Sequence, residues 1–264
     1  VTVRLNRRQR LAWLRLIRSE NVGPATFRTL VNEFGGAEAA IDALPILSRR
    51  GGAHHIRLYS KDEAEAELAA AEALGAHLAA IGEPGYPPAL AEVDAPPPLV
   101  YVKGNLDLAG SPIVALVGAR NGSAVGQKFT RGLATDLGLE GFVIASGLAR
   151  GIDTAAHLAS LESGTIAVLA GGIDNVYPPE NEELQRAIGE RGLLLSERAP
   201  GFSPARQGLP PPQPVDLRDL ARRDRDRGSR ALWLAHHRAI CRRAGPRSFR
   251  SAGKPTRPAL DRHQ

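Results

Sequence analysis

The sequence predicts an α/β protein: a doubly wound, mostly parallel sheet, incomplete at its C-terminal end, preceded by a small helical domain. Three observations carry this. From Ile113 onward four short apolar runs, IVALVG, FVIAS, TIAVLAGG and LLLSE, alternate with helical stretches, the grammar of parallel strands joined by crossover helices. Before them, residues 7–50 repeat apolar side chains every three or four positions, which is helical spacing. After Gly208 neither period survives. The 264 residues are enough for one or two domains with a sizeable core. The division expected is a helical domain over 1–78, an α/β domain over 79–208 and an Arg-rich tail over 209–264.

Taken in order, the helical part opens with RRQRLAWLRLIRSENVGPATFRTLVNEFGG. Leu11, Leu14 and Ile17 form one apolar face and Phe27, Leu30, Val31 and Phe34 another, broken at Asn21-Val22-Gly23-Pro24. Two such helices about a Gly-Pro turn make a SAM-like or helix-hairpin-helix-like unit. Hairpin amides of that kind can bind DNA phosphate as helix N-termini do. An ordinary packing unit has the same pattern, and both readings stay open. Residues 61–76, KDEAEAELAAAEALGA, are strong helix formers. Residues 81–101 are dense in Pro and read as a rigid connector on a domain surface, with Tyr86, Leu90, Leu99 and Tyr101 expected to be buried.

Composition excludes several classes. A single Cys rules out a disulfide framework and a Cys-based zinc site, so no metal is expected. No stretch approaches the ~18 apolar residues of a membrane span, and the opening VTVRLNRRQR lacks a signal-peptide core; a soluble, cytoplasmic protein without membrane contact is expected. A chain with no Met that begins with Val fits a fragment or an alternative start codon, and Val1 is taken as the start. The formal charge of +6 points to nucleic acid only until it is located. Residues 1–208 hold 20 basic and 23 acidic side chains, whereas 209–264 hold 14 and 5. The basicity belongs to the tail, and whole-chain charge carries no argument for DNA binding.

Chemistry is expected in the loops after the first two apolar runs, where an open α/β sheet places its ligand. The first, Gly118-Ala119-Arg120-Asn121-Gly122-Ser123, has small residues that let backbone amides approach an anion, and Arg120 adds a bidentate donor. The second runs Ser146-Gly147-Leu148-Ala149-Arg150-Gly151-Ile152-Asp153 and supplies a hydroxyl, glycine amides and another arginine. Asp153 either caps the following helix or orients Arg150. Two such loops on adjacent strands make an anion pocket. His157 has no Ser, Cys or carboxylate spaced for a triad and is read as a packed or capping residue. Neither a Walker lysine nor a full dinucleotide fingerprint occurs, so no cofactor and no catalytic residue are expected. Tyr177-Pro178-Pro179 reads as a stiffener of the pocket rim.

At these residues a resemblance becomes specific. GEPGYPPAL, VYVKG, VGARNGSAVG, SGLARGIDTAAH, TIAVLAGGIDNVYPPEN and LLLSE, in that order from about 81 to 197, are similar to the motifs of the DNA-processing protein A family (DprA, also called Smf). Val125 stands where the family usually has Tyr, and Ser163-Gly164 is one residue shorter than the common Gly-Gly-Thr approach. The resemblance implies a Rossmann-like domain that binds single-stranded DNA, protects it and hands it to the recombinase RecA during natural transformation, without being an enzyme. Carried over by position, Gly118, Arg120, Ser123, Ser146, Gly147, Arg150 and Gly151 would line the phosphate pocket. Family-like homodimerisation relies on the later part of the domain, which leaves it in doubt here. The alternative is a nucleotide-processing enzyme, phosphoribohydrolase-like, acting on nucleoside monophosphates. Those enzymes carry a PGGxGTxxE loop, whereas Gly171-Gly172 here lead into Ile-Asp-Asn-Val-Tyr-Pro-Pro. A third reading is an interaction protein that uses only the helical N-terminus.

After LLLSE the family continues with FPRRNRIIAG, a strand ending near EAA, and SGSLITA. None of these follows Gly208, but all three emerge one nucleotide out of register. LWLAHHRAIC can be encoded so that the shifted frame reads SGSLITARF; the single Trp codon forces the Gly, and both His codons allow only Ile or Thr. Residues 211–216 likewise yield RRNRLI, and 227–229 yield EAA. A one-base frameshift near 204–209 is therefore expected, and would account for the tail's 13 Arg and lost periodicity; the rival reading is a genuine basic tail that binds single-stranded DNA. The expected consequence is an unpaired sheet edge after LLLSE, exposed apolar surface and an aggregation-prone protein with impaired DNA binding.

Overall fold

The computed structural model of the chain describes residues 4–50 and 56–204; the expectations for 209–264, the shifted frame included, lie outside the described residues. Four helices come first: α1 (Arg7–Arg18), α2 (Pro24–Phe34), α3 (Ala37–Arg50) and α4 (Lys61–Ala73). Capping boxes start α1 and α4, Asn6 with Gln9 and Ser60 with Glu63, each pairing two amide donors that the helix leaves open. α1 buries two faces, not one. Leu11 and Leu14 pack toward the sheet with Leu68 of α4, while Ala12 and Leu16 pack with Phe27, Leu30, Ile41 and Leu44 of α2 and α3. Trp13 meets Phe27 edge-on, ring centroids 5.1 Å apart.

The sheet has six strands: β1 (His77–Ala80), β2 (Leu99–Gly104), β3 (Ile113–Ala115), β4 (Val143–Ser146), β5 (Thr165–Leu169) and β6 (Leu193–Ser196). Their order is β1-β2-β6-β5-β4-β3. Neighbours from β6 to β3 are parallel, while β2 is antiparallel to both β1 and β6. Short helix α5 (Pro88–Ala91) follows β1; α6 (Ala124–Leu139), α7 (Ile152–Ser160) and α8 (Glu182–Arg191) are the crossovers of the parallel part. Because β3 to β6 step in one direction, those crossovers share one face of the sheet. The opposite face is covered by Tyr86, Leu90 and Leu106–Gly110, a 3-10 turn. Three of the four connector residues expected inside, Tyr86, Leu99 and Tyr101, are buried, and Leu90, partly buried, packs against the cluster that holds Tyr86.

Two expectations change. β1 and β2 were not anticipated as strands, and their pairing decides the second change. The edge after LLLSE is not open: β6 lies inside the sheet, between β5 and β2. The open parallel edge among the described residues is β3. The opposite edge, β1, is closed by side chains. Arg10 donates to the Leu78 carbonyl and to both carboxylate oxygens of Glu83, and Glu83 accepts the amides of Ala80 and Leu5, each at 2.9 Å. Backbone groups that would template another strand are thereby occupied.

The helices and the sheet are joined by one buried carboxylate. Glu67 of α4 accepts from Arg18 of α1 (2.8 and 3.0 Å), from the Tyr59 hydroxyl (2.9 Å) and from the Tyr101 hydroxyl of β2 (2.7 Å). Arg18 also donates to the Glu197 carbonyl just past β6 (3.0 Å). Burial and the neighbouring carboxylate push both tyrosines upward, Tyr59 to about 12, so both remain hydroxyl donors. A charge buried in this way persists because every partner is present; removing one leaves the carboxylate uncompensated.

Candidate functional site

The register Ala115↔Ala145 ends β3 and β4 side by side, so loops 116–123 and 146–151 lie together at the C-terminal edge of the sheet. They touch through glycine. Gly151 has φ +78°, and a Cβ there would stand 2.5 Å from the Arg120 carbonyl oxygen and closer still to that of Ala119. A Cβ on Gly118 would stand 2.6 Å from Ile152 Cγ1, and one on Gly122 3.0 Å from its Cδ1. The Ile152 amide donates to the Ala119 carbonyl at 3.3 Å. These glycines hold the loops in contact, and only at Gly151 does the backbone itself also exclude an L side chain.

Loop 116–123 is the open one. Among the described residues no protein acceptor takes the amides of Ala119, Arg120, Asn121 or Gly122. Arg120 is exposed and has no ion pair there. Ser123 caps α6, its hydroxyl oxygen accepting the Gly126 amide at 3.1 Å, and the hydroxyl proton stays available. Free amides, an unpaired guanidinium and the start of a 16-residue helix make this end of the site electropositive.

Loop 146–151 is wired internally. Ser146, expected to line the pocket, is buried, and its hydroxyl donates to the Leu116 carbonyl at 2.7 Å, tying the loops together. The Gly147 amide, also expected to face a ligand, goes to Asp153 Oδ2 at 3.2 Å, and the Ala149 amide joins it at 3.3 Å. Asp153 therefore shapes the loop that precedes its helix; Gly151, at the N-cap, has no side-chain cap bond. Burial raises the Asp153 carboxyl above the ordinary range, opposed by the Ala149, Gly147 and Gly118 amides and the Ser146 hydroxyl. Arg150 is held not by Asp153 but by Glu180, at 2.7 and 3.3 Å, in a pair that is more than half exposed on both sides.

Two residues of the site were missed as such, although both stand in the quoted YPPEN motif. Glu180 is the partner of Arg150. Buried Asn181 donates to the Leu148 carbonyl (2.9 Å), the Ala149 carbonyl (3.4 Å) and the Thr154 hydroxyl (2.9 Å), while Thr154 donates to Ala149 (2.8 Å). The segment read as a rim stiffener thus braces loop 146–151 from beneath. His157 is fully buried. Thr165 Oγ1 gives its proton to the Ile144 carbonyl (3.0 Å), so it accepts from His157 Nδ1 at 2.7 Å. Burial lowers the imidazole to about 4, and the ring is a neutral packing residue. No cluster of three or more metal-ligating side chains occurs among the described residues.

A mostly parallel sheet with crossover helices, joined to a helical module at its N-terminal side, defines a Rossmann-type α/β protein with an N-terminal helical domain. Comparison makes the class specific. Residues 77–211 match the model of DNA recombination-mediator protein A, and residues 7–70 match that of the DprA-like N-terminal HHH domain. The chain belongs to the DNA recombination-mediator protein A family. It is 47% identical over 131 residues to the DNA processing protein DprA of Streptococcus pneumoniae, covering 47% of this chain and 45% of that one. Against Protein Smf of Synechocystis it is 36% identical over 211 residues, covering 75% and 53%. The X-ray structure of the Streptococcus pneumoniae protein superposes with a TM-score of 0.49 at 41% identity, over 55% of this chain and 50% of that one. The chain spans about half the length of these relatives.

Proposed function

We propose that this chain is a single-stranded DNA-binding recombination mediator that protects incoming DNA and passes it to RecA during natural transformation, acting in the cytoplasm as a binding protein and not as an enzyme. The observation that carries the reading is the set of free amides over 119–122 beside unpaired Arg120, next to a second loop that carries Arg150. Donors of this kind recognise a phosphodiester backbone without reading bases, which suits sequence-independent binding. In this reading Gly118, Arg120, Ser123, Arg150 and Gly151 line the phosphate pocket, by direct contact or by holding the loops together, while Ser146 and Gly147, whose hydroxyl and amide have internal partners, support them. The division into a helical domain over 1–78 and an α/β domain over 79–208 belongs to the same proposal, in line with the two matched segments. No helix among the described residues is long and apolar enough to cross a membrane.

Against the nucleotide-processing alternative stands the use already made of the loop after β5. The Gly172 amide donates to the Phe202 carbonyl, Asp174 accepts the Gly201 amide, and a Cβ on Gly171 would strike Asn175. That loop is packed onto chain beyond β6 instead of being held open for a nucleotide. The deciding experiment is fluorescence anisotropy of a labelled oligo-dT across a salt series, with wild type and Arg120→Ala. Affinity is expected to fall about tenfold in the variant, and the log–log salt slope by about one. Equal affinity and slope in both proteins would remove Arg120 from the interface and the reading with it.

A further inference from the structure

Loop 146–151 has the geometry of an anion-binding turn, and an anion already sits in it. Leu148 holds φ +57°, a left-handed conformation that is costly for a branched side chain. It persists because the side chain is fully buried in the core with Leu169 and Ile173, and because Asn181 takes its carbonyl at 2.9 Å. The turn aims the amides on either side of it at one point: Gly147 and Ala149 both donate to Asp153 Oδ2, at 3.2 and 3.3 Å. Backbone N–H groups converging across a left-handed residue form the concave nest that phosphate-binding loops use. A Cβ on Gly147 would stand 3.0 Å from that same oxygen, so the loop is shaped around a carboxylate at this spot.

Asp153 is 4% exposed, and its Oδ1 is buried with no hydrogen-bond partner among the described residues. Arg150, the cation nearest in sequence, pairs with Glu180 instead. A buried charge without a cation depends on the dipoles around it, and here those are the nest amides. We propose that Asp153 is a built-in anion: its carboxylate fills the nest of loop 146–151, holds the loop in its left-handed turn and closes it to any external phosphate. Phosphate is then left to the free amides of loop 116–123 and to the Arg150 side chain. The filled nest stands on its own, whereas this division of phosphate contacts rests on the DNA-binding reading. Asp153 is in that reading a positioning residue, acting on the site through the loop and touching no DNA.

Asp153→Ala removes the carboxylate and leaves the nest, and formate has the size and charge of what is lost. Thermal melts of the full chain in sodium formate, against sodium chloride at equal ionic strength, test the filling. The variant is expected to melt below wild type in chloride and to regain about 3 °C or more at a formate concentration about tenfold above its dissociation constant. Wild type should melt alike in both salts. Anisotropy with labelled oligo-dT, taken well below the variant's melting temperature, tests the positioning. Affinity should fall about fivefold in chloride and return toward wild type in formate, a recovery that loss of stability alone does not give. A folded Asp153→Ala that gains nothing from formate overturns the proposal. If it folds in neither salt, Asp153→Asn decides, since it keeps an oxygen for both amides and lacks the charge; melting at or above wild type overturns the built-in anion, and melting below it supports one. Recovery of melting without recovery of affinity overturns the positioning role. A wild type without affinity for oligo-dT removes the DNA-binding reading, while formate recovery of melting would still uphold the filled nest.

Discussion

The loops after β3 and β4 look alike as sequence, each a run of small residues with one arginine, and the fold uses them in opposite ways. Among the described residues, loop 116–123 leaves the amides of 119–122 and the Arg120 guanidinium free. Loop 146–151 gives its hydroxyl to Leu116, two amides to Asp153, two carbonyls to Asn181 and its arginine to Glu180. One loop is the donor surface and the other is the mount that positions it, with Gly151 packed on the carbonyls of Ala119 and Arg120. An anion site needs both: amides held free of internal partners have no reason to stay in place unless something rigid lies behind them.

The largest effect should come from the point where the loops touch. Gly151→Ala adds a Cβ against two carbonyls at φ +78°; destabilisation of about 3 kcal/mol or more in urea melts is expected, with DNA binding lost. Acid should act next, through His157 behind the mount. Its folded value near 4 lies below the ~6.5 of an exposed imidazole, so the unfolded state takes up the proton first. Stability is therefore expected to hold above about pH 6.5, to fall by about 1.4 kcal/mol per unit below it, and to level off near pH 4. Melts of His157→Gln should lose most of that slope. Asn181→Ala, which strips the Leu148 carbonyl and Thr154 hydroxyl of their donor, should cost about 1.5 kcal/mol and weaken binding only indirectly. A variant that melts like wild type would show that loop 146–151 supports itself.

Both loops could be read in the sequence, and so could the four parallel strands, because glycine runs and apolar runs are local signals. What could not be read depends on distant partners. HLAA continues an alanine-rich helical run and becomes β1 only because β2 pairs with it, and β2 hides at the end of a Pro-rich connector. That pair placed β6 inside the sheet, where the local pattern implied an edge. Asp153 has the sequence of a helix cap, yet its bonds run back to amides four and six residues earlier. Asn181 is 33 residues from the carbonyl it holds, and nothing in its neighbourhood announces that. Sequence located the two loops; it did not separate the groups left free from those that hold the loops together.

The smallest and most specific effect concerns the charge that the second loop carries. Arg150 is the one cation of loop 146–151, and Glu180 occupies it with two hydrogen bonds. Exposed pairs of this kind are weak, so a phosphate can displace Glu180, but the displacement must subtract from binding. Glu180→Gln keeps the shape and removes the competing charge. Affinity for oligo-dT should rise about threefold, with a steeper salt slope as Arg150 joins the backbone contacts. A hydrogen bond from its own backbone amide and then the pairing with Arg150 hold the Glu180 carboxyl below its usual range, so wild type should approach the variant only in distinctly acid solution, where other groups also titrate; the comparison belongs near neutral pH. In an Arg150→Ala background the gain should vanish. A loss of affinity on Glu180→Gln would instead make the carboxylate a guide that holds Arg150 in its binding pose, and the second loop would then be mount throughout, its arginine included.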